Sequence, residues 1–265
     1  NAIDHKAPIG MGATNALDRV AAMVGDISEV PLDFKASESV PNAGVLLALP
    51  ALLSTGLLHN TKKHFQLPNG YYGLASIFLL LAFMALARIK SVERLRYHAP
   101  GEWGKILGLD RIPEVRTLRA KLKILATECE SSQWGADLCA QWMAADLESS
   151  ATLYIDGHVR VYHGSQTKLP RHHVARQRLS LRATTDYWVN AMDGQPFFYI
   201  NKEVDPGLIK VVEGEIVPRL EQGVPGQATE EQREENPFLP KFSLVFDREG
   251  YSPALMLRVS GAGFG

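Results

Sequence analysis

The texture of the chain changes once, at Ser149–Ser150, and that change limits the possible folds more than any other feature. From residue 41 to 127 apolar residues recur at helical spacing, interrupted by Pro50, the Pro68–Asn69–Gly70 turn and Pro100–Gly101. A further helix is predicted over 134–148, where Trp134, Leu138, Trp142 and Ala145 form one apolar face. Beyond residue 150 the segments 152–162 and 185–204 are rich in Val, Ile, Tyr, Phe and Trp, with Asp193–Gly194 as a hairpin turn in the second. A helix over 207–221, opened by Pro206–Gly207, and a strand over 242–247 complete the pattern. Between them Glu230, Glu231, Glu234 and Glu235 read as a solvated acidic loop within 222–240. The expectation is a helical first half and an α+β or α/β second half, with the last strand in reach of the first. Hydrophobic residues at 46% and charged residues at 22% suffice for a buried core.

Residues 1–40 are mixed and expected to be partly flexible, apart from a short helix at 14–24 capped by Thr14 or Asn15. The two most apolar stretches, 44–58 and 74–89, are broken by Pro50 and end in Arg88–Ile89. Both fall short of the roughly 20 apolar residues that a spanning helix needs, so buried helices are preferred to a membrane hairpin. Cys129 and Cys139 stand ten residues apart, which fits neither a zinc pair nor a redox CxxC motif. They read as buried or half-buried thiols in a reducing, cytoplasmic setting. No secretory signal opens the chain, and its start at Asn1 and its final "SGAGFG" are expected to be fragment ends.

Residues 91–127 carry a helix-turn-helix pattern. Ser91 can cap a short helix ending before Pro100, a second helix is expected at 102–107 before Gly108, and Asp110 would cap a third. That third helix turns Val115, Leu118, Leu122 and Leu125 inward and Arg116, Arg119, Lys121 and Lys123 outward. Between Arg88 and Lys123 ten Lys/Arg face four Asp/Glu, an excess suited to neutralising phosphates. A solvated face of an ordinary bundle would read the same way.

The chemistry-bearing pattern lies in the second half. "LYIDGHVRVYHG" and "LVFDREGYSP" each bring an aspartate, Asp156 and Asp247, to an apolar strand. A carboxylate buried in a core costs several kcal/mol unless paired or metal-bound. If the two strands are neighbours, the carboxylates converge and can share hard cations such as Mg²⁺, which take oxygen ligands and serve phosphodiester displacement. From Gly157 to Thr185 there is no Asp or Glu, but Arg160, Lys168, Arg171, Arg176, Arg178 and Arg182 are present with His158, His163, His172 and His173. The span reads as a polyanion-binding surface or as a solvated basic hairpin. Zinc ligation by His158 and His163 is a rival, disfavoured because residues five apart on a strand point to opposite faces. Asp186, Asp193 and Asp205 read as turn and cap residues.

"LYIDGHVRVYHG", "TTDYWVNAMDGQPFF" and "LVFDREGYSPA", together with the helical text from Phe78 to Leu122, resemble bacterial insertion-sequence transposases with a DDE-type, ribonuclease H-like catalytic domain. The likeness runs from about residue 40 to about residue 254. It implies a helical DNA-binding domain at 41–127, a connecting helix at 128–150 and a catalytic mixed-sheet domain at 151–265. It also implies metal-dependent cutting and joining of DNA ends, with Mg²⁺ or Mn²⁺ as cofactor and transposon ends and target DNA as partners. A homodimer and a place with the bacterial nucleoid go with that reading. Asp156 matches the first acidic position and Asp247 the second. Arg111, Arg116, Arg119, Lys123, His158, Arg160, Arg176, Arg178 and Arg248 are the candidate DNA contacts. The family's third acidic residue lies on a helix well downstream, whereas eighteen residues follow Asp247. The domain is therefore expected to be truncated and the chain inactive or nearly so. Two alternatives stand beside this: a non-catalytic DNA-binding protein derived from a transposase, and an unrelated phosphohydrolase using Asp156 and Asp247.

Overall fold

The computed structural model describes residues 14–164, 167–174 and 177–265, and the chain divides into two compact units, Asn1–Trp134 and Gly135–Gly265. The division lies within a helix, 15 residues before the change of texture at 149–150.

The first unit is helical: α1 (Ala16–Val24), α2 (Leu49–Ser54), α3 (Thr61–His64), α4 (Leu74–Leu86), α5 (Pro100–Ile106) and α6 (Val115–Thr127), followed by the start of α7 (Ser131–Ala145). Two 3₁₀ turns, Ala43–Ala48 and Val92–Tyr97, link them. The apolar stretch at 74–89 becomes the central core helix α4, with Ile77, Leu80 and Phe83 wholly buried against Trp103, Leu107 and Leu118. No helix among the described residues is long and apolar enough to cross a membrane. Phe65, Phe78 and Trp134 form an aromatic cluster with ring centroids 5.1 to 5.4 Å apart, tilted and edge-to-face, while the Trp134 indole donates to the His59 carbonyl at 3.0 Å. Asp110 does not cap α6, which starts five residues later behind Glu114. Its carboxylate instead accepts from Arg19, the Tyr71 hydroxyl and the Thr14 and Asn15 amides, tying α1 to the rest of the unit. Burial works to raise this carboxyl, but those donors outweigh it and bring it down to about 2.

The second unit is a mixed sheet with helices. The remainder of α7 and α8 (Leu147–Ser150) lead into β1 (Thr152–Val161), β2 (Arg171–Val174), β3 (Leu179–Asn190) and β4 (Pro196–Lys202). A continuous helical rod follows, α9 (Leu208–Val211), a π-turn (Val212–Ile216) and α10 (Val217–Gly223), and then α11 (Glu230–Glu235), β5 (Ser243–Phe246) and α12 (Pro253–Gly261). The sheet runs β2–β3–β1–β5, with β4 also paired along β3; β1 is antiparallel to β3 and parallel to β5. The Asp193–Gly194 turn forms as expected, with Gly194 at φ +87° and the Asp193 side chain accepting from the Gln195 amide at 2.9 Å. Leu153, Ile155, Tyr187, Val189 and Phe198 line one sheet face and pack with Val211, Val212, Ile216 and Leu220 of the rod.

One expectation is corrected. The acidic segment carries a helix, α11, fixed by a capping box between Thr229 and Gln232. The chain after α12 returns to the sheet: the Gly265 amide donates to the Phe242 carbonyl at 3.0 Å and the Leu244 amide to the Gly265 carbonyl at 2.9 Å, with Phe264 stacked on Phe242. The outer edge of β5 is thereby partly covered rather than left open.

Candidate active site

The parallel ladder of β1 and β5 sets the site. Its register pairs are Leu153 with Leu244, Tyr154 with Val245 and Ile155 with Phe246. Asp156 and Asp247 are the next residue on each strand, on neighbours whose spacing is about 4.8 Å in any sheet. Successive side chains on a strand alternate faces. Leu153, Ile155, Leu244 and Phe246 turn to the core, while Tyr154 (43% exposed) and Val245 (40% exposed) turn out. Both aspartates follow the outward set and are exposed. The expectation of a carboxylate forced into a core is therefore corrected, because the open sheet face relieves Asp156 of that desolvation.

Asp247 leaves the strand as it arrives. It caps a 3₁₀ turn, Arg248–Gly250, and accepts from the Glu249 amide at 3.0 Å. That bond fixes the carboxylate against the end of β5.

The buried acid on this face is Asp186, whose expected place as a turn or cap residue is corrected. Asp186 lies within β3, paired in register with His158, and is wholly buried. It accepts from the Asn201 amide group at 2.5 Å and forms an ion pair with Arg160, whose side chain remains 61% exposed. Its Oδ2 lacks a partner of hydrogen-bonding geometry, so the guanidinium holds it chiefly by charge. The signal was the period of two in Thr184, Asp186, Trp188 and Asn190, which puts Asp186 on the same face as Asp156. Asp205 accepts from the buried Tyr187 hydroxyl and from the Gly207 amide. Burial, then that carboxylate, pushes the Tyr187 phenol well above its ordinary range.

The basic candidates separate by position. His158 and Arg160 share the Asp156 face of β1. Arg178 is exposed in the turn between β2 and β3 at φ +53°, and Arg248 is exposed beside Asp247. Arg176 lies outside the described residues. In the first unit Arg116 and Lys123 are exposed on α6, and Arg119 pairs with Glu93 at 2.7 Å. Arg111 is only 5% exposed and sits 3.6 Å from Glu114, a burial that does not suit a phosphate contact. Among the described residues no group of three His, Cys, Asp or Glu could hold a metal ion.

No curated protein and no solved structure matches the chain. A family model described as "Transposase protein" matches residues 10–260, nearly the whole length. The helical unit and the mixed-sheet unit with its two adjoining aspartates thus belong to a single matched stretch, and the chain is a member of this transposase family.

Proposed function

We propose that the second unit is a ribonuclease H-like, DDE-type core that cuts and joins DNA ends, in the manner of an insertion-sequence transposase. The observation that carries this is the register of β1 and β5, which sets Asp156 and Asp247 side by side at the end of a parallel ladder. Strand order supports it: antiparallel strands lead through a helical rod to a strand parallel to β1 on its free side. Asp247 directly follows β5, the fifth strand in chain order.

The donor set fits a hard cation. Two adjacent carboxylates offer oxygen ligands only, as Mg²⁺ or Mn²⁺ requires, and leave positions for water and phosphate oxygens. Held there, such an ion would supply a more acidic water and charge neutralisation at the phosphate. The protein's own part is to hold Asp247 by its turn, to hold Arg160 on Asp186, and to offer a basic surface to the DNA strand. In the first unit we read the 3₁₀ turn Val92–Tyr97, α5 and α6 as a DNA-binding region of helix-turn-helix kind and assign duplex binding to exposed Arg116 and Lys123. With two carboxylates and no third ligand beside them among the described residues, cation binding is expected to be weak and cutting slow.

The test is DNA binding by the full chain at two salt concentrations, with and without Mg²⁺, for the natural chain and Asp156→Asn. Salt-sensitive binding that Mg²⁺ strengthens and Asp156→Asn weakens is the expected result. Binding indifferent to both would leave a DNA-binding protein without the chemistry. Turnover of small phosphoesters with no DNA binding would replace this reading with the hydrolase.

A further inference from the structure

The carboxylate row continues across the sheet as an aromatic row. Asp156 pairs in register with Trp188 on β3, and Trp188 pairs with Tyr199 on β4. Directly paired residues point to the same face of a sheet. From β5 to β4 that face therefore presents Asp247, Asp156, Trp188 and Tyr199 in one line. The Trp188 and Tyr199 rings are stacked, with centroids 4.9 Å apart and planes 28° from parallel. Tyr199 is 51% exposed and Trp188 half-buried, so the stack presents a flat π surface outward instead of closing a core.

The next row supplies charge and hydrogen bonding. His158, Asp186 and Asn201 are register partners across the same three strands, and Arg160 stands two residues beyond His158. Asp186 is wholly buried and anchored by Asn201, so it holds one end of an Arg160 side chain that is otherwise 61% exposed. A guanidinium fixed in this way is a ready phosphate contact. Gly157 to Thr185 contains no acidic residue, Arg171 and Arg182 are register partners on β2 and β3, and Arg178 is exposed in the turn between those strands.

We propose that Trp188 and Tyr199 form a stacking platform for an unpaired nucleobase of the DNA strand whose phosphate lies at Asp156 and Asp247. This rests on the DNA reading above and adds a ligand subsite to it. An aromatic face can stack only on a base face that is free. Within a duplex both faces of a base are covered by its neighbours, so the platform selects a strand end or an extruded nucleotide. Arg160 holds the adjoining phosphate and keeps the base beside the carboxylates.

The experiment uses the full chain in Mg²⁺ and three fluorescent DNAs: a blunt duplex, the same duplex with a short single-stranded extension, and that extension carrying abasic sites. Affinity is read by anisotropy, with strand integrity checked on a gel. The natural chain should bind the extended duplex more tightly than the blunt one, and the abasic extension should remove that advantage. Trp188→Ala should weaken binding of the extended duplex about 5- to 150-fold, the span of one base–aromatic stack, and leave the blunt duplex unchanged. Trp188→Phe should retain most of the affinity. Equal binding of the natural and abasic extensions overturns the platform while leaving the transposase reading intact, and needs no variant to fold. A Trp188→Ala loss shared equally by all three DNAs also overturns it. Failure of the natural chain to bind any of them overturns both readings.

Discussion

Asp110 shows how one residue can hold a different place from the one its neighbours suggest. Its position before Pro113 reads as a helix cap, yet its side chain is 1% exposed and serves Arg19, Tyr71 and the start of α1. Local spacing reveals caps but not partners ninety residues away, and so this ion pair was not legible. Its carboxyl falls from 3.8 to about 2, so the folded state holds that proton less tightly than the unfolded chain. The stability this adds, about 2 kcal/mol, is fully present above pH 4 and lost as the pH drops toward 2. Asp110→Asn should therefore unfold at a lower temperature than the natural chain at pH 7, with the gap narrowing as the pH falls below 4 toward 2. Thermal melts across that range check this, and a constant gap would show that the charge is not what matters. That Asp156 and Asp247 fall on neighbouring strands was legible because each ends a short apolar run. Asp186 was misassigned because its burial depends on Asn201 and Arg160, which the fold brings from two other strands.

At the level of elements, α6 follows from its repeated apolar face and α4 from an apolar run too short to span a membrane. The strand β1, β4 and the second half of β3 follow from segments rich in β-branched and aromatic residues, the last two on either side of the Asp193–Gly194 turn. The sequence does not mark the short β2 as a strand. Its four residues, Arg171 to Val174, carry three polar side chains and take their conformation from pairing with β3. The π-turn in the rod and α11 are not legible either, the first because a single widened turn leaves no mark on spacing. The junction of α5 with the chain beyond it depends on two glycines. A Cβ at Gly104 would lie 2.4 Å from the Arg111 Cα, and Gly108 sits at φ +67° against the Asp33 backbone. The Asp33 amide donates to the Gly108 carbonyl at 2.8 Å, so neither segment can move away cheaply. Gly104→Ala should cost about 1–3 kcal/mol, as overpacking does, and denaturant titration would show it as a lower midpoint. An unchanged midpoint would mean that the contact is slack.

For the whole molecule, a formal net charge of −1 conceals two basic regions, the helices from Arg88 to Lys123 and the strands from Gly157 to Thr185. Removing a phosphate contact lowers the salt dependence of DNA binding by about 1 in log–log slope. Arg116→Ala and Lys123→Ala should each do so, weakening all duplexes alike, whereas Arg111→Ala should lower stability because its side chain is inside. A salt titration of the three variants separates the roles, and an unchanged slope for Arg116→Ala and Lys123→Ala would remove α6 from the interface. The ladder joining Ile155 to Phe246 has a further consequence, in time instead of space. Its partners are ninety-one residues apart, whereas β3 and β4 meet across a five-residue turn. Contacts between distant residues close late, after local hairpins have formed. The two aspartates therefore meet only when β5 docks, so the site proposed at their pair is assembled last, after the local hairpin of β3 and β4.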